Sequence, residues 1–163
     1  MSFGHIRYLD LVGEGHVSEH FDSTAFKFSI VRNPLDRAVS LFNYLKRMNL
    51  LPKMLSFELF TIMLRESQYE NIGLFNVRGL SQCNPQMTWL VDDSGRLIAD
   101  LVGHFERLDP FLNELRDRKI IDGELPQRNM PSSREDAESY YTTKTIRQNV
   151  ELAYSSDFEL FGY

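Results

Sequence analysis

The sequence has little of what covalent or metal-built frameworks need. One cysteine, Cys83, stands among 163 residues, which excludes an intramolecular disulfide and a cysteine-built metal cage. A reducing, cytoplasmic compartment is compatible with that usage. No apolar run approaches the ~18 residues of a membrane span. The opening Met1-Ser2-Phe3-Gly4-His5-Ile6-Arg7 carries neither the charged start nor the apolar stretch of a signal peptide. Positive charge is also scarce: 18 Lys and Arg stand against 23 Asp and Glu, for a net charge of −5. That balance argues against non-specific nucleic-acid binding, which needs a broad basic surface. An anionic ligand must then meet a few well-placed cations. Of the four histidines, His5, His16, His20 and His104, His5, His20 and His104 show no metal-ligand spacing.

What is present is ordinary for one globular domain over residues 1–163, with 42% hydrophobic and 25% charged residues. Phe26 to Val31 reads as a buried strand, short, aromatic and β-branched. It runs into Arg32-Asn33-Pro34, where Asn33 is a good N-cap and Pro34 suits the first helical position. Leu35, Ala38, Val39, Leu41, Phe42 and Leu45 then share an arc of roughly 160° at the helical period, with Asp36, Ser40, Asn43 and Arg47 opposite. Ser56 caps a second helix through Leu64, and residues 67–87 read as a long loop. Asp92-Asp93-Ser94-Gly95 is a turn between Thr88–Val91 and Leu97–Val102, a predicted hairpin or strand pair. Asp109-Pro110 opens another helix, residues 123–131 form a loop, and Thr142 or Thr143 caps a last helix to about Tyr154. Strands separated by helices predict an α/β domain.

The sharpest chemistry sits where the first strand meets its helix. A helix N-terminus offers unpaired N–H groups and partial positive charge, which favour phosphate. Arg32 can add bidentate charge-assisted bonds, and Ser40 lies on the polar arc of the same helix. Arg37 is near such an anion by sequence, with Asp36 as its alternative surface partner. The bland alternative is that Asn33-Pro34 merely starts a helix and Arg32 is a solvated strand end.

Val31-Arg32-Asn33-Pro34-Leu35-Asp36-Arg37-Ala38-Val39-Ser40-Leu41-Phe42 resembles the 3′-phosphate motif of the carbohydrate-type (Golgi and bacterial family 2) sulfotransferases. The resemblance implies that Arg32 and Ser40 hold the 3′-phosphate of the sulfonate donor 3′-phosphoadenosine 5′-phosphosulfate (PAPS). Gly103-His104-Phe105-Glu106-Arg107-Leu108, Leu125-Pro126, Asn129 with Ser132-Ser133, Tyr140-Tyr141 and the closing Asp157-Phe158-Glu159-Leu160-Phe161-Gly162-Tyr163 are similar to later segments of that family. The likeness runs from about residue 13 onward. It implies a P-loop-like, three-layer α/β fold with a mainly parallel central sheet, and transfer of sulfonate to a hydroxyl acceptor, a carbohydrate.

Such transfer benefits from a general base, and His or Glu is the usual choice. Gly15-His16-Val17-Ser18 is similar to a segment of heparan sulfate 2-O-sulfotransferases, which implies His16 as the base. Glu14 stands where those enzymes carry another histidine; it is either the base itself or the group that orients His16. Glu106 is a weaker candidate, with pairing to Arg107 as its alternative. Trp89, Tyr140 and Tyr141 suit an acceptor or adenine surface, although packing explains them better.

The same resemblance predicts a turn containing Lys, Gly and Thr or Ser that wraps the 5′-phosphosulfate. Ahead of Phe26 there is no lysine, and neither G-x-x-x-x-G-K-[ST] nor Lys-x-Gly-x-[ST] occurs there. The chain therefore reads as a domain incomplete at its N-terminus, lacking the first strand–P-loop unit. Each oriented donor lost from such a site matters by about 2.7–4 kcal/mol. A missing strand would also expose a sheet edge, inviting pairing with another chain, a homo-oligomer for instance. The rival readings are a non-catalytic sulfotransferase-like binding protein and a nucleotide kinase-like P-loop protein.

Overall fold

The computed structural model describes residues 6–68, 74, 81–123 and 137–163. Two short helices come first, α1 (Tyr8–Gly13) and α2 (Glu19–Thr24). Helices this short do not hold themselves in water, and side chains fasten them. The Arg7 guanidinium bonds the Asp10 carboxylate at 2.8 Å, and the Tyr8 hydroxyl donates to Asp22 at 2.9 Å. Lys27, just ahead of the first strand, sits 3.2 Å from the same Asp22 carboxylate and 5.8 Å from the centre of the Tyr8 ring. This lysine is structural in its contacts.

Strand β1 (Phe28–Val31) follows, then α3 (Pro34–Arg47), α4 (Phe57–Glu66) and α5 (Met87–Leu90). Strand β2 (Leu101–His104) leads through a 3₁₀ turn (Phe105–Arg107) into α6 (Leu108–Asp117). A second 3₁₀ turn (Ala137–Tyr140) precedes α7 (Lys144–Ala153) and α8 (Ser155–Phe161). β1 and β2 run parallel, Phe28 opposite Leu101 and Ile30 opposite Gly103. Parallel pairing requires a long crossover, and α3, α4 and α5 occupy it. The α/β expectation holds in this form; the sheet has two strands among the described residues.

Local signals account for several boundaries. Asn33 Oδ1 accepts from Leu35 N–H at 2.9 Å, Ser56 Oγ from Leu59 N–H at 3.2 Å and Thr143 Oγ1 from Ile146 N–H at 3.3 Å. Each satisfies an orphan donor of a first turn. The apolar faces of α3, α4 and α7 then meet: Phe42, Phe57 and Phe60 pack at ring separations of 5.4 to 6.2 Å, over buried Leu64, Ile146, Val150 and Tyr154. A smaller core of Phe111, Leu112 and Leu115 joins α6 to β2. Phe28, Ile30, Leu101 and Gly103 share one face of the sheet by register and period. Phe111 stands against Gly103, whereas Phe28 and Ile30 remain 42% and 39% exposed. The β1 half of that face is only partly covered, with Phe28 meeting the Phe111 ring at 6.2 Å between centres.

The hairpin expected over residues 88–102 is corrected. The amides of Gln86 and Met87 are capped by the Asp157 carboxylate at 2.8 and 2.7 Å, so the chain turns helical at α5 instead of extending. Only a single antiparallel bridge, Val91 to Leu97, closes the following turn. Asp92 organises that turn: its Oδ1 accepts from the Ser94 hydroxyl at 2.6 Å and from the Arg96 N–H at 2.9 Å. Those bonds, the Ser94 hydroxyl first, hold its carboxyl down to about 2 from an ordinary 3.8. A depressed carboxyl stabilises the folded form above its unfolded value and loses that effect as pH falls through the folded value. Amide exchange at Ser94 and Arg96 is therefore expected to accelerate as pH is lowered from about 4 towards 2, beyond the intrinsic pH trend of exchange. NMR exchange rates on the native chain and on Asp92→Asn check this; the variant should show no such window.

Among the described residues, no helix is long and apolar enough to cross a membrane, and no three His, Cys, Asp or Glu side chains group to hold a metal.

Candidate functional site

Arg32, the residue after β1, is held by a side-chain restraint. The side-chain amide of Gln86 acts as a strand would: its Oε1 accepts from Arg32 N–H at 2.9 Å and its Nε2 donates to Arg32 C=O at 2.9 Å. The Arg32 guanidinium lies 5.1 Å from the centre of the Phe105 ring, a cation–π distance. Its Nε is buried and has no hydrogen-bond partner. Most buried polar atoms have a partner, so this N–H is a donor held ready for an acceptor.

The helix amides beside it are less available than the sequence suggests. Pro34 has no N–H, and Leu35 N–H is taken by the Asn33 side chain. Asn33 N–H donates to Glu106 Oε1 at 2.7 Å. Glu106 Oε2 in turn accepts from the Tyr163 hydroxyl at 3.0 Å. Desolvation, then that carboxylate, raises the Tyr163 phenol above its ordinary value, which keeps it a donor. Glu106 is thus a clamp on the junction and does not pair with Arg107 by any short contact. An anion at this junction would meet side chains more than the N-terminus of α3. Ser40 lies on the exposed side of α3, a hydroxyl on the polar face, as its arc predicted.

Arg37 turns the other way. Its Nη2 donates to the carbonyls of Gln82 and Asn84 at 2.7 and 2.8 Å, and its guanidinium lies 5.2 Å from the centre of the Tyr154 ring. It reaches neither Asp36 nor an anion beside Arg32; it ties α3 to the 81–86 segment.

Glu14 and His16 lie in the turn after α1, where Gly15 has φ +75°, a conformation natural to glycine. The structure brings these two together: His16 Nε2 is 3.4 Å from Glu14 Oε2, with side chains 48% and 62% exposed. Neither forms a hydrogen bond or ion pair with Arg32 or Ser40. The fastenings of the α1–α2 unit grip Lys27, and Arg32 lies about 16 Å beyond it at the rise of a strand.

A groove of about 310 Å³ opens beside the start of β1, walled by Tyr8, Phe21, Phe26, Phe28 and Trp89, with Lys27 at its rim. Tyr140 and Tyr141 are elsewhere: the Tyr141 hydroxyl donates to Leu35 C=O at 2.7 Å and Tyr140 to Asn43 Oδ1 at 3.1 Å. Both rings pack on Phe57. Leu125-Pro126, Asn129 and Ser132-Ser133 lie outside the described residues. Gln86 and Asp157 are the site residues that the sequence reading missed. Nothing local marks them, because their partners stand 54 to 71 positions away.

A family model described as the sulfotransferase family matches residues 3–163 of the chain. No curated protein and no solved structure matches it.

Proposed function

Since this chain belongs to the sulfotransferase family, we propose that its strand–helix junction binds the 3′-phosphate of PAPS, the donor for sulfonate transfer to a carbohydrate hydroxyl. The observation that carries this reading is the buried, unpartnered Nε of Arg32, the residue before the Asn33 cap of α3. A phosphate oxygen supplies the missing acceptor, and the planar guanidinium suits bidentate contact. Ser40 adds a neutral donor from the same helix. The motif resemblance names these two residues, and the fit rests on the orphaned donor.

In the transfer step, an acceptor oxygen attacks the sulfonate sulfur in line. The S–O bond to the 5′-phosphate breaks, and its electron pair leaves on the phosphate oxygen. His16 takes the acceptor proton, and Glu14, 3.4 Å from its Nε2, steadies the imidazolium that results. Positioning and charge stabilisation supply most of the acceleration, as in phosphoryl transfer.

Adenosine 3′,5′-bisphosphate should raise the melting temperature of the chain by several degrees at saturating concentration, and Arg32→Ala should abolish the shift. No shift with the native chain removes the donor-site reading. With PAPS and a carbohydrate acceptor, His16→Ala should lower turnover by about 10²–10⁴-fold; unchanged turnover removes the base assignment. A second reading is a non-catalytic sulfotransferase-like binding protein. It is the reading that survives if the bisphosphate binds and no acceptor is sulfated. The outer edge of β1 is the place where a second copy would pair; sedimentation of the native chain against Ile30→Lys, a charge set on that edge strand, tests that.

A further inference from the structure

We infer that Gln86, held by Asp157, is the positioning residue that aims Arg32 at the 3′-phosphate. This rests on the donor-site reading above and adds to it a residue that touches no substrate.

A flexible arginine that binds an anion loses rotamer freedom, and fixing its root beforehand reduces that loss. β2 can fix only alternate residues of β1. Lys27 C=O accepts from β2's Leu101 N–H, so by the period of two Ser29 and Val31 also face β2. Arg32 points its N–H and C=O to the outer edge. There, in place of a strand, the Gln86 carboxamide takes both groups at 2.9 Å. A carboxamide has the donor and acceptor geometry of a peptide, and it serves the residue where the chain leaves sheet for helix.

Gln86 is itself held from both ends by one carboxylate. Asp157 Oδ2 accepts from the backbone N–H of Gln86 at 2.8 Å and lies 3.4 Å from its Nε2, while Oδ1 accepts from Met87 N–H at 2.7 Å. Asp157 has no exposed surface. Burial raises its carboxyl, and the two backbone amides oppose that rise. A fully buried acid is costly unless it is well bonded, and this one spends its bonds on the two amides that orient Gln86. The chain of contacts runs from α8 through α5 to the end of β1 and stops at the arginine whose Nε has no partner.

The test is calorimetric titration of the native chain, Gln86→Met, Gln86→Glu and Asp157→Asn with adenosine 3′,5′-bisphosphate and with adenosine 5′-monophosphate, below every melting temperature. Gln86→Met keeps the length and removes both bonds. Gln86→Glu keeps the shape and the acceptor for Arg32 N–H but removes the donor. The preference of the native chain for the bisphosphate should fall at least tenfold in Gln86→Met and less in Gln86→Glu and Asp157→Asn, with monophosphate affinity unchanged. A merely structural role lowers the melting temperature and leaves that preference intact, and such a result overturns the inference. Should Gln86→Met fail to fold, an unchanged preference in Gln86→Glu overturns it equally. A native chain without any preference for the bisphosphate removes the donor-site reading instead, and that result shows in a separate arm.

Discussion

Gly103→Ala lowers the melting temperature by on the order of 10 °C. A Cβ built at this position would stand 2.3 Å from Cγ of Phe111 and 2.5 Å from both of its Cδ atoms. The Phe111 ring lies on the strand backbone itself, which is where glycine in a strand is expected. Phe111 is nearly buried in the small α6 core and also faces Phe28 at 6.2 Å between ring centres, so it cannot withdraw without opening that core. Overpacking a filled site costs about 1–3 kcal/mol. With backbone as one wall and a rigid ring as the other, the upper end or beyond applies. For a chain of this size each kcal/mol lowers the melting temperature by roughly 2–4 °C. Phe111→Leu in the same chain should recover part of the loss, because a leucine leaves room for the methyl. If Gly103→Ala melts within about 1 °C of the native chain, the ring is not seated there. The substitution also reaches the site, since β2 leads within three residues to Glu106, which clamps Asn33.

What could be read from the sequence was what depends on near neighbours. The caps at Asn33, Ser56 and Thr143 bond two or three residues onward, and the apolar arc of α3 is a property of one helix. α1 and α2 were not read, because helices of six residues carry no usable periodicity and owe their place to Tyr8, Asp22 and Lys27. The residues of α5 favour a strand; a carboxylate 70 positions away turns them helical. The last helix expected from the sequence ends at about Tyr154, which matches α7, and α8 beyond Tyr154 is not among the expectations. Arg32 and Ser40 enter the proposed site through the family motif alone, and the orphaned Nε of Arg32 supports that proposal. The free amides expected at α3 are occupied, for a plain reason. The acid that occupies Asn33 N–H lies 73 positions away, beyond what any local pattern can show.

Arg37 carries the second large effect, and it separates two meanings of an arginine in this motif. Arg37→Met should lower stability by about 2–4 kcal/mol, since hydrogen bonds to a charged group contribute about 1.5–3 kcal/mol each. Two carbonyls, Gln82 and Asn84, lose the donor that holds them. Part of the loss is offset, because the buried Nη1 has no partner in the native chain and disappears with the substitution. The methionine keeps contact with Tyr154, whose hydroxyl still donates to Cys83 C=O at 2.9 Å, so the surrounding core should hold. Denaturant unfolding gives the stability change, and titration with adenosine 3′,5′-bisphosphate gives the other half. A clamp that faces away from the anion loses stability and retains bisphosphate affinity within about threefold below the melting temperature. An anion ligand does the reverse: it loses affinity by tenfold or more at nearly unchanged stability. The contacts of Arg37 call for the first outcome, and the donor-site proposal calls for the second at Arg32, five residues earlier in the chain.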